Sequence, residues 1–201
     1  MLIKETGGGI EFEQAPTGAH IGICIRIVDL GTQKNEYQGQ VNYKREGLFT
    51  WELPSNLMTS GEQAGKPFVV SKFYTLSLSE KANLRKDLAA WRGRDFTPEE
   101  LAGFDPKNVL GKACMLNLIA NAKGKTIING VMQLPKGFPV PAQVNPNVYF
   151  SLEEFKQETF DGLSKGIKEI IERSPEYQKL KTPDYAHEPV GFDDLKDDIP
   201  W

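Results

Sequence analysis

Residues 20–29 alternate without a break, with Ile21, Ile23, Ile25 and Ile27 on one side and Gly22, Cys24, Arg26 and Val28 on the other. A period of two, β-branched on one side, is the pattern of a strand with one buried face. Isoleucine repeated in this way is poorly suited to a helix and well suited to a pleated sheet, so the chain must build around β-structure. The remaining elements are read outward from this one. Residues 31–47 are polar and read as a loop, and a second strand follows at 48–53. A Gly, Pro and Ser-rich break over 54–65 leads to a third strand at 68–78. Ser79 is placed to cap a helix whose Leu84, Leu88 and Trp91 recur at helical spacing before the stop at Gly93. Thr97-Pro-Glu-Glu100 opens a short turn of helix ended by Gly103. Residues 114–121 and 126–134 form two further strands joined at Ala122-Lys-Gly-Lys125, a hairpin turn.

After Pro135 the chain is Pro-rich as far as Pro146. Ser151-Leu-Glu-Glu154 then has the spacing of a capping box, opening a helical region that carries Phe155, Leu163, Ile167, Ile170 and Ile171. Gly162 and Gly166 divide it, Ser174-Pro175 closes the second piece, and a short helix is expected near 176–180. Three strands, a helix and a hairpin give the order β-β-β-α-β-β. That is the order of the OB-fold, a five-stranded Greek-key barrel with a helix between its third and fourth strands. The expectation is therefore a mainly β protein with added helices. Residues 1–150 would form an OB-fold nucleic-acid-binding domain and 151–181 a C-terminal helical region. Residues 182–201 would be a flexible, disordered acidic tail.

The chain has 201 residues, 39% of them hydrophobic, enough for a packed core. No apolar run approaches a membrane span, and no membrane partner is expected. Cys24 and Cys114 lie in apolar strands without an export signal and read as reduced thiols of a cytoplasmic protein. The two histidines, His20 and His187, are far apart in sequence, and no set of four close ligands marks a zinc site. No metal and no cofactor is expected. No nucleophile–base pair stands out, so a non-enzyme is the better reading.

The net charge is −3, yet residues 188–201 alone contribute −4, which leaves the body slightly basic. Between Pro106 and Leu152 there are five lysines (Lys107, Lys112, Lys123, Lys125 and Lys136) and no acid. This asymmetry points to an anionic partner for the body. The tail carries five carboxylates, then ends on Ile199-Pro-Trp201, as a peptide ligand does when an apolar end fills a pocket ringed by basic groups.

Asp193-Asp-Leu-Lys-Asp-Asp-Ile-Pro-Trp201 resembles the C-terminal tip of bacterial and phage single-stranded DNA-binding proteins. That tip has several acids, Ile-Pro and a terminal aromatic, usually Phe where this chain has Trp201. Residues 76–94, with Phe96-Thr-Pro-Glu-Glu-Leu-Ala-Gly-Phe104 and Asn108-Val-Leu-Gly-Lys112, are similar to a run shared by phage replication-module proteins of that type. The likeness spans about residues 51–137. It implies sequence-independent binding of single-stranded DNA in phage replication, recombination or repair, in the bacterial host cytoplasm. It also implies recruitment of replication or recombination proteins through Asp193, Asp194, Asp197, Asp198, Ile199, Pro200 and Trp201. The alternatives are a non-DNA-binding adaptor of the same module and a DNA-processing enzyme whose residues cannot be placed. The C-terminal helices are expected either to pack against the barrel or to form a homodimer, and the sequence does not choose between them.

Single-strand binding needs flat rings for bases and cations along the phosphates. Aromatic and basic residues interleave at Tyr43-Lys44-Arg45 with Phe49 and Trp51, at Lys72-Phe73-Tyr74, and at Trp91-Arg92-Gly93-Arg94. The candidate DNA-binding residues are Lys34, Tyr43, Lys44, Arg45, Phe49, Trp51, Lys72, Tyr74, Arg92, Arg94, Lys112, Lys123 and Lys125. In OB-folds the loops joining the first two and the last two strands flank the binding face. Lys34, Lys44 and Arg45 fall in one of these loops, Lys123 and Lys125 in the other.

Overall fold

The computed structural model describes residues 13–182. Six strands form a single sheet: β1 (Gly18–Tyr37), β2 (Gln40–Leu57), β3 (Pro67–Thr75), β4 (Ala113–Ala120), β5 (Thr126–Met132) and β6 (Val148–Phe150). The order is β3-β2-β1-β4-β5, all neighbours antiparallel, and β6 joins β1 in parallel. Among the described residues five α-helices, α1 (Asn83–Arg92), α2 (Pro98–Ala102), α3 (Gln157–Asp161), α4 (Lys165–Glu172) and α5 (Pro175–Lys181), and a short 3-10 helix (Pro106–Val109) complete it. The mainly β class and the element order to β5 agree with the sequence reading; the sheet itself is open.

The isoleucine alternation does not run through unbroken. Cys24 pairs with Trp51 and Arg26 with Thr50, so Ile25 is an extra residue, a β-bulge. Beyond it the faces exchange. Ile27 joins Cys24 in the main core, while Ile23 lies opposite Glu52 on the other face. The main core gathers Phe49, Trp51 and Leu53 of β2, Phe68 and Tyr74 of β3, and Leu84, Leu88 and Trp91 of α1. Phe49 meets Tyr74 edge-on at 5.3 Å and Trp51 lies 5.9 Å from Trp91 between ring centroids. The Trp91 indole N–H donates to Ala113 O at 2.8 Å. The two thiols sit here fully buried, and desolvation pushes Cys24 up to about 12 and Cys114 well above its ordinary value. Both stay protonated at neutral pH.

Helix α1 is held across the sheet's two terminal strands. Lys72 Nζ and Tyr74 Oη of β3 both donate to Asp87 Oδ2 at 2.7 Å, and Gln133 N, just past β5, donates to Ala90 O at 2.9 Å. Gly93 ends the helix at φ +70°, as its position predicts. The start differs from expectation. Ala82 is the N-cap, because Ser79 is engaged one turn earlier, with Ser77 and with the Ala82 N–H. Thr97 caps α2 as anticipated, and with Glu100 it forms a full capping box.

Two further expectations are corrected. Residues 31–47 are not a loop: β1 and β2 continue as a two-stranded ribbon to a turn at Gln38-Gly39, with Lys34 opposite Tyr43. The ribbon is exposed on both faces, so no apolar period of two marks it. Ser151 does not open a helix, since its Oγ accepts from Glu153 N in a local turn, and α3 begins only at Gln157.

The C-terminal helices pack on the sheet. Val28, Leu30 and Leu48 form a second core with Phe150, Leu152, Phe160, Leu163, Ile171 and Tyr177. Along the free edge of β1 the partners change in sequence: β4 for Gly18–Ile23, β6 for Arg26–Val28, then Glu176, which accepts from Thr32 N at 2.9 Å and Thr32 Oγ1 at 2.6 Å. The edge of β1 opposite β2 is thereby covered from Gly18–Ile23 through Arg26–Val28 to Thr32. Gly31 sits at this junction at φ +72°, and any Cβ there would collide with the Ser174 side chain and Leu152. Gly31→Ala should therefore lower stability by about 2–4 kcal/mol. Urea unfolding followed by tryptophan fluorescence measures the loss. Limited proteolysis should show faster cleavage around Ser164, as α4 and α5 loosen from the sheet.

Candidate nucleic-acid interface

Alternation along a strand decides which rings are available. In β2 and β3, Phe49, Trp51 and Tyr74 point into the main core and are 0%, 1% and 4% exposed. These three expectations are corrected: a ring closed in on both faces by Leu and Trp neighbours offers no surface to a base. Lys72 shares Tyr74's side of β3 and is held by Asp87. The opposite parity of the same strand, Val69, Ser71 and Phe73, faces outward, and Phe73 is 55% exposed. Phe73 is therefore the available ring of the Lys72-Phe73-Tyr74 triplet. The clue in the sequence was Ser71, a small polar residue in the middle of the Val69–Phe73 face, against Phe68, Val70 and Tyr74 on the other.

Phe73 borders a groove of about 530 Å³ with Lys44, Glu46, Ser77, Ser79 and Lys81. Glu46 pairs with Thr75 and Leu48 with Phe73, so Lys44, two residues before Glu46, lies on the same side of β2. Lys81, which sequence reasoning did not single out, enters from the turn before α1. Above this groove stands the ribbon, where Lys34 and Tyr43 are cross-strand partners and Tyr43 is 67% exposed. Lys44, Phe73 and Lys81 thus border one groove, while Lys34 and Tyr43, at the other parity, occupy the ribbon's opposite face.

Arg45, the next residue of the ribbon, is committed elsewhere. Its Nε and Nη2 donate to the two oxygens of Asp29 at 3.2 and 2.6 Å, and its Nη1 donates to Glu153 at 2.8 Å. The Asp29 bond is the main reason its affinity for a proton rises above the usual arginine range. It ties β2 to the chain following β6 rather than offering a free cation.

Arg92, Arg94 and Lys112 line a second cavity of about 480 Å³ with Trp91, Phe104, Asn108 and Gln133. Arg92 and Arg94 both hold Glu100, and Arg92 stacks on Phe96 at 4.5 Å. Their charges are largely spent on that carboxylate. Lys112 is exposed and has no such partner among the described residues. Lys123 and Lys125 are exposed at the β4–β5 turn, whose backbone is fixed by Asn121 Oδ1 accepting from both lysine N–H groups at 2.9 and 3.0 Å. That turn lies beyond the Gly18 end of β1 and the ribbon beyond its other end, so β1 separates the two lysine groups. The tip residues Asp193, Asp194, Asp197, Asp198, Ile199, Pro200 and Trp201 fall outside the described residues.

Among the described residues no group of three or more His, Cys, Asp or Glu side chains is gathered as a metal site would need, and no helix is long and apolar enough to cross a membrane. No protein-family model matches the chain, and no curated protein matches it.

The arginine pair has a measurable consequence. Arg94 first, then Arg92, hold the Glu100 carboxyl well below the ordinary glutamate value of 4.5. A carboxylate more acidic in the folded than in the unfolded state adds stability that is present above pH 4.5 and lost as the pH falls below it. Glu100→Gln should therefore lower Tm at pH 7, and the difference from wild type should shrink progressively between pH 5 and pH 3. A Tm difference independent of pH over that range would contradict this ionic account.

Proposed function

We propose that this protein binds single-stranded DNA without sequence preference, as a phage-type single-stranded DNA-binding protein acting in replication, recombination or repair. The observation that carries the reading is Phe73, an exposed ring on β3 bordered by Lys44 of β2 and by Lys81. A base stacked on such a ring gains about 1–3 kcal/mol whatever its identity, because every base presents a π face. The lysines meet the flanking phosphates. Strand order supports the same reading. β1 pairs with β2 and β4, β2 with β3 and β4 with β5, while β3 and β5 approach one another beneath α1. We read this open sheet as OB-like, and in an OB-fold the face of the second and third strands meets the oligonucleotide.

In this reading β1–β2 supplies a raised arm. Lys44 would grip the strand beside Phe73, Lys34 and Tyr43 would offer a cation and a ring on the ribbon's other face, and Lys123 and Lys125 would meet the strand where it leaves the far end of β1. The acidic segment ending in Trp201 would recruit replication or recombination proteins, its apolar end filling a pocket and its carboxylates facing basic residues. An adaptor reading rests on a different surface: Ile119 and Ile127, cross-strand partners on β4 and β5, are both exposed and could meet a protein or a second copy of the chain.

Fluorescence anisotropy with a labelled oligo-dT and a duplex of equal length separates the readings. The DNA-binding reading expects the single strand to bind and the duplex to bind more weakly. The slope of log affinity against log salt should be near −0.7 per phosphate contacted. Phe73→Ala should weaken oligo-dT binding about 5- to 150-fold with Tm unchanged, since the ring is exposed. Lys44→Glu should weaken it further and flatten the salt dependence. If neither nucleic acid binds, the adaptor reading takes its place.

A further inference from the structure

Arg26 is the one arginine or lysine on β1 before the ribbon, and the bulge at Ile25 sets it opposite Thr50 on one side and Val148 on the other. It is half-buried, and its Nε is enclosed by protein with no hydrogen-bond acceptor. None of the ion pairs among the described residues includes it. Arg45, Arg85 and Arg92 each hold a carboxylate, although Arg92 Nη1 is also enclosed without an acceptor; Arg26 differs in having no ion pair among the described residues. Withdrawing a guanidinium donor from water without an acceptor is costly, so an arginine without a carboxylate that lines a cleft is suited to an anionic ligand.

The cleft is there. Arg26, Asn147, Lys156, Glu158 and Thr159 line a space of about 510 Å³ between β1, β6 and α3. Lys156 is exposed and forms no ion pair among the described residues. Asn147 Oδ1 accepts from Gln143 Nε2 at 2.8 Å, which leaves its NH2 free to donate. Two cations against the single carboxylate of Glu158 leave a net charge of about +1. That balance suits a phosphodiester, which carries one negative charge, better than a terminal phosphate with about −1.5 to −2.

We infer that this cleft binds one backbone phosphodiester of a nucleic-acid strand, with Arg26 and Lys156 as its cationic ligands. The inference rests on the function proposed above and extends its path. Arg26, Thr50 and Ser71 lie in one row across β1, β2 and β3, and Phe73 is two residues along β3 from Ser71. Two inter-strand spacings, about 10 Å, separate Arg26 from the β3 face. A strand with a base on Phe73 can cross Ser71 and set a neighbouring phosphate in the cleft. The C-terminal helices then do more than cover the sheet: α3 and the turn before it complete a binding site that β1 alone would leave open.

The test follows the Arg26 Nε–H resonance in ¹⁵N-correlated NMR spectra of the full chain during titration with the dinucleotide TpT, which has a single phosphodiester. It is combined with oligo-dT anisotropy on Arg26→Gln, Lys156→Glu and Glu158→Gln. The inference expects TpT to shift the Arg26 Nε–H signal in wild type. Arg26→Gln should weaken oligo-dT binding about tenfold or more. Lys156→Glu, at an exposed position, should weaken it likewise and reduce the salt slope by about 0.7. Glu158→Gln should strengthen binding, an effect that a purely structural role for the cleft would not produce. Arg26→Gln should leave Tm unchanged or raise it, because it removes an unpaired charge.

Should oligo-dT bind in a Phe73-dependent manner while the cleft variants match wild type, this inference is overturned and the proposed function stands. A TpT-induced shift of Arg26 without preference for single strands over duplex removes the proposed function and leaves the cleft as a phosphodiester site. If a peptide of residues 188–201, and not TpT, produces the Arg26-dependent shift, the cleft takes a carboxylate-rich peptide and the inference fails.

Discussion

Everything in this fold is hung on β1, and β1 can serve that role because its alternation is interrupted at Ile25 and again at Leu30. Without a bulge at Ile25, the alternating isoleucines would bury one face of the strand and leave Gly22, Cys24, Arg26 and Val28 facing away from the core. The bulge exchanges the faces midway. Cys24 and Ile27 then both enter the main core, and Val28 and Leu30 found a second one on the opposite side. A single strand can thereby anchor α1 on one side and α3 to α5 on the other.

The same exchange places Arg26. A cation in an isoleucine strand must go where a polar group is tolerated, and the bulge sends it to the sheet's outer face beside Val148. Around it that face is largely occupied. Helices cover the Val28–Leu48 row, and the backbone N–H groups of Val144 and Asn145 close over the Glu52 carboxylate at 2.7 and 2.8 Å. Glu52, wholly buried in a strand, is satisfied by those donors and by Asn145 Nδ2 at 2.6 Å. What remains open on this face includes the Val69–Phe73 row of β3 with its groove and the Arg26 cleft. The candidate surface is thus defined by what the C-terminal segment leaves uncovered as much as by the residues that form it.

The parts of the candidate site that were legible in the sequence are those where chemistry alone decides exposure. Lys34, Lys44, Lys123 and Lys125 lie in polar turns and ribbons, and a lysine there must be solvated. Rings are another matter. Lys72-Phe73-Tyr74 reads the same whichever parity is buried, and only the partners across the sheet (Leu48 for Phe73, Gly47 for Tyr74) fix the choice. Arg45 and Arg92 carry the same charge as the free lysines, but Asp29, Glu153 and Glu100 stand far enough away in sequence that their pairing could not be foreseen.

By itself the sequence determined the strand at residues 20–29, the order of elements through β5, the Gly93 stop and the Thr97 cap, because each rests on local sterics and nearby backbone donors. It also determined the charge asymmetry between body and tail. Only the tertiary structure decided the bulge at Ile25, the extension of β1 and β2 into a ribbon, and the three-residue strand β6. The same holds for the docking of α3 to α5 and the choice of Phe73 over Tyr74. These depend on pairing across the sheet and on packing between distant segments, where free energy is shared among residues that no local pattern connects.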